Sequence, residues 1–286
     1  MLIRIVVVAA SLASLCSAQQ KQPLTAREIV ALVQQHSNVS WHGPTVDTFK
    51  AGDPDTPITG IATTMMATFD VLKRAAAQNL NFIVTHEPTF YSHEDKTDSL
   101  QAANDPVWLE KEAFIKEHHL VVWRFHDHWH ARHPDGILTG MVNSLGWQPY
   151  QHEDPPNLFT LPPTTVRHLA RSIRDRIGIN VLRVVGNPDL RVTKVALMPG
   201  AAGTQRHLQL LRQDNVEVLV IGEVPEWETI EYVSDAAAQG RRKALILMGH
   251  IPSEQAGMIN CADWLKSFVS GVPIIFVPTA EPFWVP

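Results

Sequence analysis

Apolar and polar positions along the chain fall into two alternating rhythms. Ile29, Val30 and Val33 share one face of Ala26–His36, which predicts an amphipathic helix. Ile58–Met65 reads as a strand, Phe69–Gln78 as a helix and Asn81–Thr85 as a short buried strand. Asp105–His118 is a predicted helix with Pro106 in its first turn, followed by a strand over Leu120–Phe125. Gly136–Leu145 is a predicted helix closed by Gly146. The later chain repeats the rhythm. Strands are expected over Lys194–Met198, Val216–Ile221, Ala244–Met248 and Val272–Val277, with helices over Gln205–Gln213, Trp227–Gln239 and Ser253–Val269. Strands alternating with helices predict an α/β fold built from mostly parallel sheets. Thr45–Pro57 reads as a turn-rich connection, and the proline-rich, acidic stretch Gln148–Pro163 as a linker. The expected division is a first α/β half over residues 19–150, a linker and variable segment over 151–190, and a similar second half over 191–286.

The first residues follow a different pattern. Arg4 precedes the apolar stretch Ile5–Leu15, and the small pair Ser17-Ala18 precedes a polar run from Gln19. This is the layout of a secretory signal peptide over residues 1–18, cleaved near Ala18. The expected location is therefore secreted or periplasmic. Cys16 raises lipidation as an alternative, but Leu15 stands where a small residue would be expected before it. After cleavage no segment is apolar enough to be expected in a membrane.

Composition narrows the classes further. The chain has 286 residues, 45% of them hydrophobic, and a net charge of −5. These values exclude a disordered chain, a collagen and a coiled coil, and they disfavour a nucleic-acid partner. Two cysteines, Cys16 and Cys261, rule out a disulfide scaffold. Histidine is the unusual residue: there are 14, six of them between His118 and His133.

Four stretches that could carry chemistry each follow a predicted strand, where α/β sheets collect ligands. In Thr85-His86-Glu87-Pro88, adjacent side chains on an extended segment point in opposite directions, so His86 and Glu87 could reach different metal ions. The plain alternative is a backbone-bonded histidine beside a solvated glutamate. In His126-Asp127-His128-Trp129-His130, an extended chain places three histidines on one face, and a helix places His126 and His130 together. Either geometry suits a first-row metal, and a solvated His-rich loop is the alternative. In Gly249-His250-Ile251-Pro252-Ser253-Glu254, Ser253 reads as a helix N-cap. His250 and Glu254 could meet across the turn, or Glu254 could simply complement the helix dipole. Pro199-Gly200-Ala201-Ala202-Gly203, with Gly222-Glu223 beyond it, reads as a tight βα turn or an anion cradle.

Taken in order, these motifs resemble the NIF-three-like family, the NGG-one-interacting-factor-three group of dinuclear-metal proteins often labelled GTP cyclohydrolase type 2. The resemblance rests on Gly52-Asp53-Pro54 through Phe69-Asp70, on Phe82 through Phe90, and on His126 through Gly136 to Leu145-Gly146. In the second half it rests on Val195–Gly200, Gly222-Glu223 and Gly249-His250 with Glu254. It implies two α/β halves with a two-metal site in the cleft between them. It also implies His86, Glu87, His130, His250 and Glu254 as metal ligands, and a homo-oligomeric assembly. Two positions depart from the family pattern. Glu87 stands where a second histidine is expected, and His130 where an aspartate is expected. The exchange preserves three imidazoles and two carboxylates.

Two nearby divalent cations, zinc, iron or manganese, would make this an exported metal-dependent hydrolase of an unidentified small molecule. His126 and His128 are the candidates for catalytic proton transfer, since histidine titrates near neutrality. A non-catalytic periplasmic metal-binding or buffering protein is the alternative. A third reading makes His126, His128 and His130 the main ligand cluster, loosely similar to the metallo-β-lactamase pattern. No Gly-x-Ser-x-Gly elbow is present, so serine hydrolysis is not expected.

Overall fold

The structure, a computed structural model, describes residues 23–286. The expected signal peptide, with Cys16, lies outside the described residues. In the first part of the chain, α1 (Ala26–His36), β1 (Phe49–Ala51), β2 (Ile61–Met66), α2 (Phe69–Ala76) and β3 (Phe82–Glu87) follow in order. Then come α3 (Asp98–Ala102), α4 (Pro106–Glu117), β4 (Val121–Arg124), α5 (Asp127–Ala131) and α6 (Gly136–Leu145). The chain continues with β5 (Leu158–Thr165), α7 (Val166–Ile177), β6 (Arg183–Val185), β7 (Arg191–Met198) and α8 (Thr204–Leu211). It closes with β8 (Val218–Ile221), α9 (Glu231–Ala238), β9 (Ala244–Leu247), α10 (His250–Lys266) and β10 (Ile274–Phe276). No helix among the described residues is long and apolar enough to cross a membrane.

These strands form two five-stranded sheets, ordered β1-β4-β3-β2-β10 and β5-β7-β8-β9-β6. In the first sheet only β1 runs antiparallel to its neighbour; in the second, the two edge strands β5 and β6 do. The fold class expected from the alternating pattern is the one observed. Side-chain alternation explains the layers. Ile61, Phe82, Val84, Val121 and Trp123 pack on α1 and α10, while Ala62, Ile83 and Val122 pack on α2 and α4. In the second sheet, Val195, Val218, Val220 and Ile246 meet α6 and α7, while Ala196, Leu219 and Leu245 meet α8 and α9.

Residues 151–190, expected as a linker, instead supply β5, α7 and β6 to the second sheet. Pro162 and Pro163 fit because β5 is an edge strand, whose register with β7 breaks between Thr160 and Thr164. Helix α7 buries Val166, Leu169, Ala170 and Ile173, the stripe of an ordinary amphipathic helix. The expected second half, 191–286, is also not one unit, because β10 returns to pair with β2. Helix α10 starts earlier than expected: Gly249 is its N-cap, and Ser253 lies inside the first turns.

Helices α6 and α10 cross between the two sheets and contribute to both cores. Their backbones nearly touch. A Cβ on Gly140 would sit 2.4 Å from the Ala256 carbonyl oxygen and 2.5 Å from Gly257 Cα. This crossing fixes the first half against α10. Gly140→Ala is therefore expected to destabilise the protein by about 1–3 kcal/mol, as overpacking does. A lower urea midpoint measures it, and an unchanged midpoint contradicts the close crossing.

Candidate metal centre

Parallel pairing brings the carboxyl ends of β3 and β4 to one edge, with Thr85 opposite Arg124. The carboxyl ends of β7, β8 and β9 form the matching edge of the second sheet. The four motifs lie where these edges face one another.

His86 and Glu87 end β3, both buried. His86 Nδ1 lies 3.1 Å from the Phe125 carbonyl oxygen. A carbonyl only accepts, so Nδ1 carries the proton and Nε2 presents a lone pair. That Nε2 is buried and has no hydrogen-bond partner among the described residues; Glu254 Oε2, 3.5 Å away, is likewise buried and is met by imidazole nitrogens alone. Although they occupy successive strand positions, His86, Glu87 and Glu254 bring one donor atom each within 4.8 Å of one another.

After β4 the chain turns into α5, and Asp47 dictates that turn. Its carboxylate accepts from the backbone N–H of His126 at 2.6 Å, Asp127 at 3.0 Å and His128 at 2.9 Å. His126 and His130 consequently share a helical face, with ring centroids 5.0 Å apart. A nitrogen of each lies within 4.8 Å of the other and of a nitrogen of His86. His128, expected as a proton-transfer group, points elsewhere. Its Nδ1 lies 2.7 Å from Asp47 Oδ2, its ring stacks on Trp41 at 3.6 Å, and it does not line the cleft. Alternation along a strand would have kept three histidines together; the helical turn separates the middle one.

The second half supplies His250 at the start of α10 and Glu254 one turn later. His250 Nε2 lies 3.3 Å from Glu87 Oε1 and 3.2 Å from Glu254 Oε2. The small-residue turn after β7 makes room for Glu254. Gly200 has φ +68, and a Cβ there would come 2.1 Å from Glu254 Oε1. The Gly200 N–H donates to Ser253 Oγ at 3.0 Å, which ties this turn to α10. Pro199-Gly200 thus seats a carboxylate-bearing helix.

All four inward-facing histidines follow one rule. Nδ1 is engaged by the Phe125 carbonyl in His86, by Asp127 in His126, by Asp135 in His130 and by Glu223 in His250. Nε2 faces the carboxylates of Glu87 and Glu254: His126 at 3.5 Å from Glu87, and His130 at 3.9 Å from Glu254. Outer acceptors of this kind fix the tautomer and ring orientation of metal-ligating histidines. Burial, aided by the charges of His130 and His126, holds His86 well below the usual histidine range. Burial opposes charge on His250, but Glu223, Glu254 and Glu87 push it up to about 12. Burial also opposes ionisation of Glu87, yet hydrogen bonds with His126 and His250 hold it far below the carboxylate range. Imidazole and carboxylate donors around a partnerless buried imidazole nitrogen fit a divalent cation, so these His/Glu groups could hold a metal ion.

This cluster floors a cleft of about 990 Å³ whose walls include Met66, Phe69, Tyr91, Lys111 and Arg206. Lys111 is buried and donates to the Thr89 carbonyl at 2.6 Å; burial lowers its ammonium to about 8. Cys261 is buried in α10 away from the cleft lining, which fits a structural role.

Of the residues expected from sequence, His86, Glu87, His130, His250 and Glu254 come together, and His126 joins them. Sequence reasoning missed Asp47, Asp135 and Arg124. Asp135 had a local signal, because it caps α6 through the Ile137 and Leu138 N–H groups. Arg124 had one in its charge within the otherwise apolar run Leu120–Phe125. Asp47 had none.

The chain is similar to a GTP cyclohydrolase 1 type 2 homolog of Chlamydia pneumoniae, 24% identical over 246 residues, which cover 82% of this chain and 89% of the relative. A GTP cyclohydrolase 1 type 2 homolog of Clostridium acetobutylicum is 23% identical over 226 residues, 75% of this chain and 79% of the relative. Among solved structures, the Staphylococcus aureus hypothetical protein SA1388 superposes with a TM-score of 0.71 at 16% identity, covering 92% of this chain and 100% of that one. A Bacillus cereus protein related to NIF3 gives 0.70 at 12% identity, covering 93% and 100%. At these identities the structures support the fold alone. The sequence model of one family matches residues 25–282, nearly the whole chain, and the chain accordingly belongs to the Duf34/NIF3 (NGG1p interacting factor 3) family.

Proposed function

We propose that the protein is an exported hydrolase that works with two divalent metal ions on a small molecule held in the cleft. The observation that carries this reading is the convergence of four imidazole Nε2 atoms on two carboxylates, with every Nδ1 already engaged. His86, Glu87, His126, His130, His250 and Glu254 would hold the ions. Glu254 turns its two oxygens to different rings: Oε1 faces His130, and Oε2 faces His86 and His250. Bound there, such ions would lower the pKa of a water and polarise a substrate carbonyl or phosphoryl oxygen.

The protein's own residues do the rest. Asp127, Asp135 and Glu223 orient the ligand rings. Phe69 and Tyr91 offer apolar wall to the substrate, and Lys111 and Arg206 favour an anionic group on it. The name shared by the two relatives suggests GTP as a substrate; an exported protein would rarely meet it. Export is supported by Arg4, the apolar Ile5–Leu15 and the small residues before Gln19. Assembly into homo-oligomers is part of the same proposal and is checked by light scattering.

Metal-loaded protein is expected to hydrolyse members of a panel of esters, amides and phosphoesters. Glu254→Gln should lower kcat/KM by roughly 100-fold or more, beyond the loss of a typical outer partner. Metal retention without turnover on any panel member would instead favour a metal buffer.

Metal uptake should also release protons. His250 is protonated in the metal-free chain and must be neutral to ligate, whereas His86 is already neutral. Affinity should therefore fall as pH falls, by about tenfold per pH unit for each proton displaced. Calorimetry in buffers of different ionisation enthalpy reads the release; a pH-independent affinity between about pH 6 and 8 contradicts it.

A further inference from the structure

Arg124 is a fully buried charge at the end of β4, next to the proposed ligands but not one of them. Its guanidinium is spread over several acceptors. Nη2 donates to Glu87 Oε2 at 2.8 Å, Nε donates to the His86 carbonyl at 3.0 Å, and Nη1 donates to the His93 carbonyl. Behind it lies Asp95, whose Oδ2 is 3.8 Å from Nη1 and 3.4 Å from Lys50 Nζ. Asp95 is itself fixed, accepting from the Thr89 and Phe90 N–H groups at 2.6 and 2.8 Å. The buried group is thus balanced: Arg124 and Lys50 against Glu87 and Asp95.

This arrangement divides the labour of the Glu87 carboxylate. Oε2 belongs to Arg124. Oε1 faces His126 and His250 at 3.5 and 3.3 Å. A free glutamate at a metal can use either oxygen or both, and it adds a full negative charge. With Oε2 taken by a planar, permanently charged fork, Glu87 offers one donor atom and part of its charge. One donor with little charge is also what a neutral imidazole offers.

We propose that Arg124 is a positioning residue of the metal centre, and that Glu87 and Arg124 act as one unit which supplies a single oxygen donor of reduced charge. The same fork grips the His86 carbonyl, so it fixes the backbone of both ligands of β3. Removing it would free Oε2 to bind, leave the His86 and His93 carbonyls without their donor and loosen the strand end. The inference rests on the metal-binding reading above.

The test is a double-mutant cycle read by Co²⁺ binding and by the visible absorption of bound Co²⁺, with no activity assay. Arg124→Gln should weaken Co²⁺ binding roughly 10–100-fold, as loss of an outer partner does, because the loosened hold on both β3 ligands outweighs the charge returned to Glu87. It should also lower the intensity of the Co²⁺ bands, because the freed Oε2 raises the coordination number. In a Glu87→Gln background, the same Arg124→Gln change should cost several-fold less than in wild type, because only the grip on the His86 and His93 carbonyls is then lost. Equal losses in both backgrounds, with an unchanged spectrum, would overturn the proposal. If Arg124→Gln does not fold in chelator, Arg124→Lys serves, since it keeps the charge and cannot span Glu87, His86 and His93. Failure of wild-type protein to bind Co²⁺ at all would instead defeat the metal reading on which the proposal stands.

Discussion

A buried nitrogen on His86 has no hydrogen-bond partner among the described residues, and the buried Glu254 oxygen beside it is met only by imidazole nitrogens. A buried polar group left unsatisfied, as His86 Nε2 is here, costs about 1–3 kcal/mol. A chain that only needed stability would have closed the pair with donors or with apolar packing. Here the surrounding groups aim further lone pairs at the same place. The Phe125 carbonyl, Asp127, Asp135 and Glu223 each occupy the Nδ1 side of a histidine ring and turn Nε2 inward. The energetic cost of the cluster is thus matched by a consistent geometry, as expected where one cation satisfies several donors together.

The two halves contribute unequal parts. The first sheet brings His86, Glu87, His126 and His130; the second brings His250 and Glu254 on a helix that packs in the first core. That helix is held by its glycine-mediated crossing with α6, and α6 is capped by Asp135, the residue that orients His130. Packing and ligand orientation therefore meet in one helix pair. A shift of α10 relative to α6 would move ligands and outer partners at once.

Much of the fold was legible because the central strands β2, β3, β4, β8 and β9 are buried almost throughout, and β8 and β9 read as apolar runs. Helices α1 and α6 begin and end where periodicity and the residues flanking them predict. What misled was context. Pro162 and Pro163 read as linker, yet an edge strand tolerates them. The return of β10 to the first sheet leaves no trace in local pattern. In the site, the ordered motifs located five ligand candidates, and the spacing of His126 and His130 already admitted the helical face they share. The turning away of His128 depends on Asp47, about 80 residues upstream, at 2.7 Å from its ring nitrogen. Long-range partners of this kind carry no signal in one sequence.

The most direct test of the central claim is metal content per chain by elemental mass spectrometry, on untagged protein purified without added metal. The account predicts two divalent ions retained per folded chain. A folded chain that retains none contradicts it.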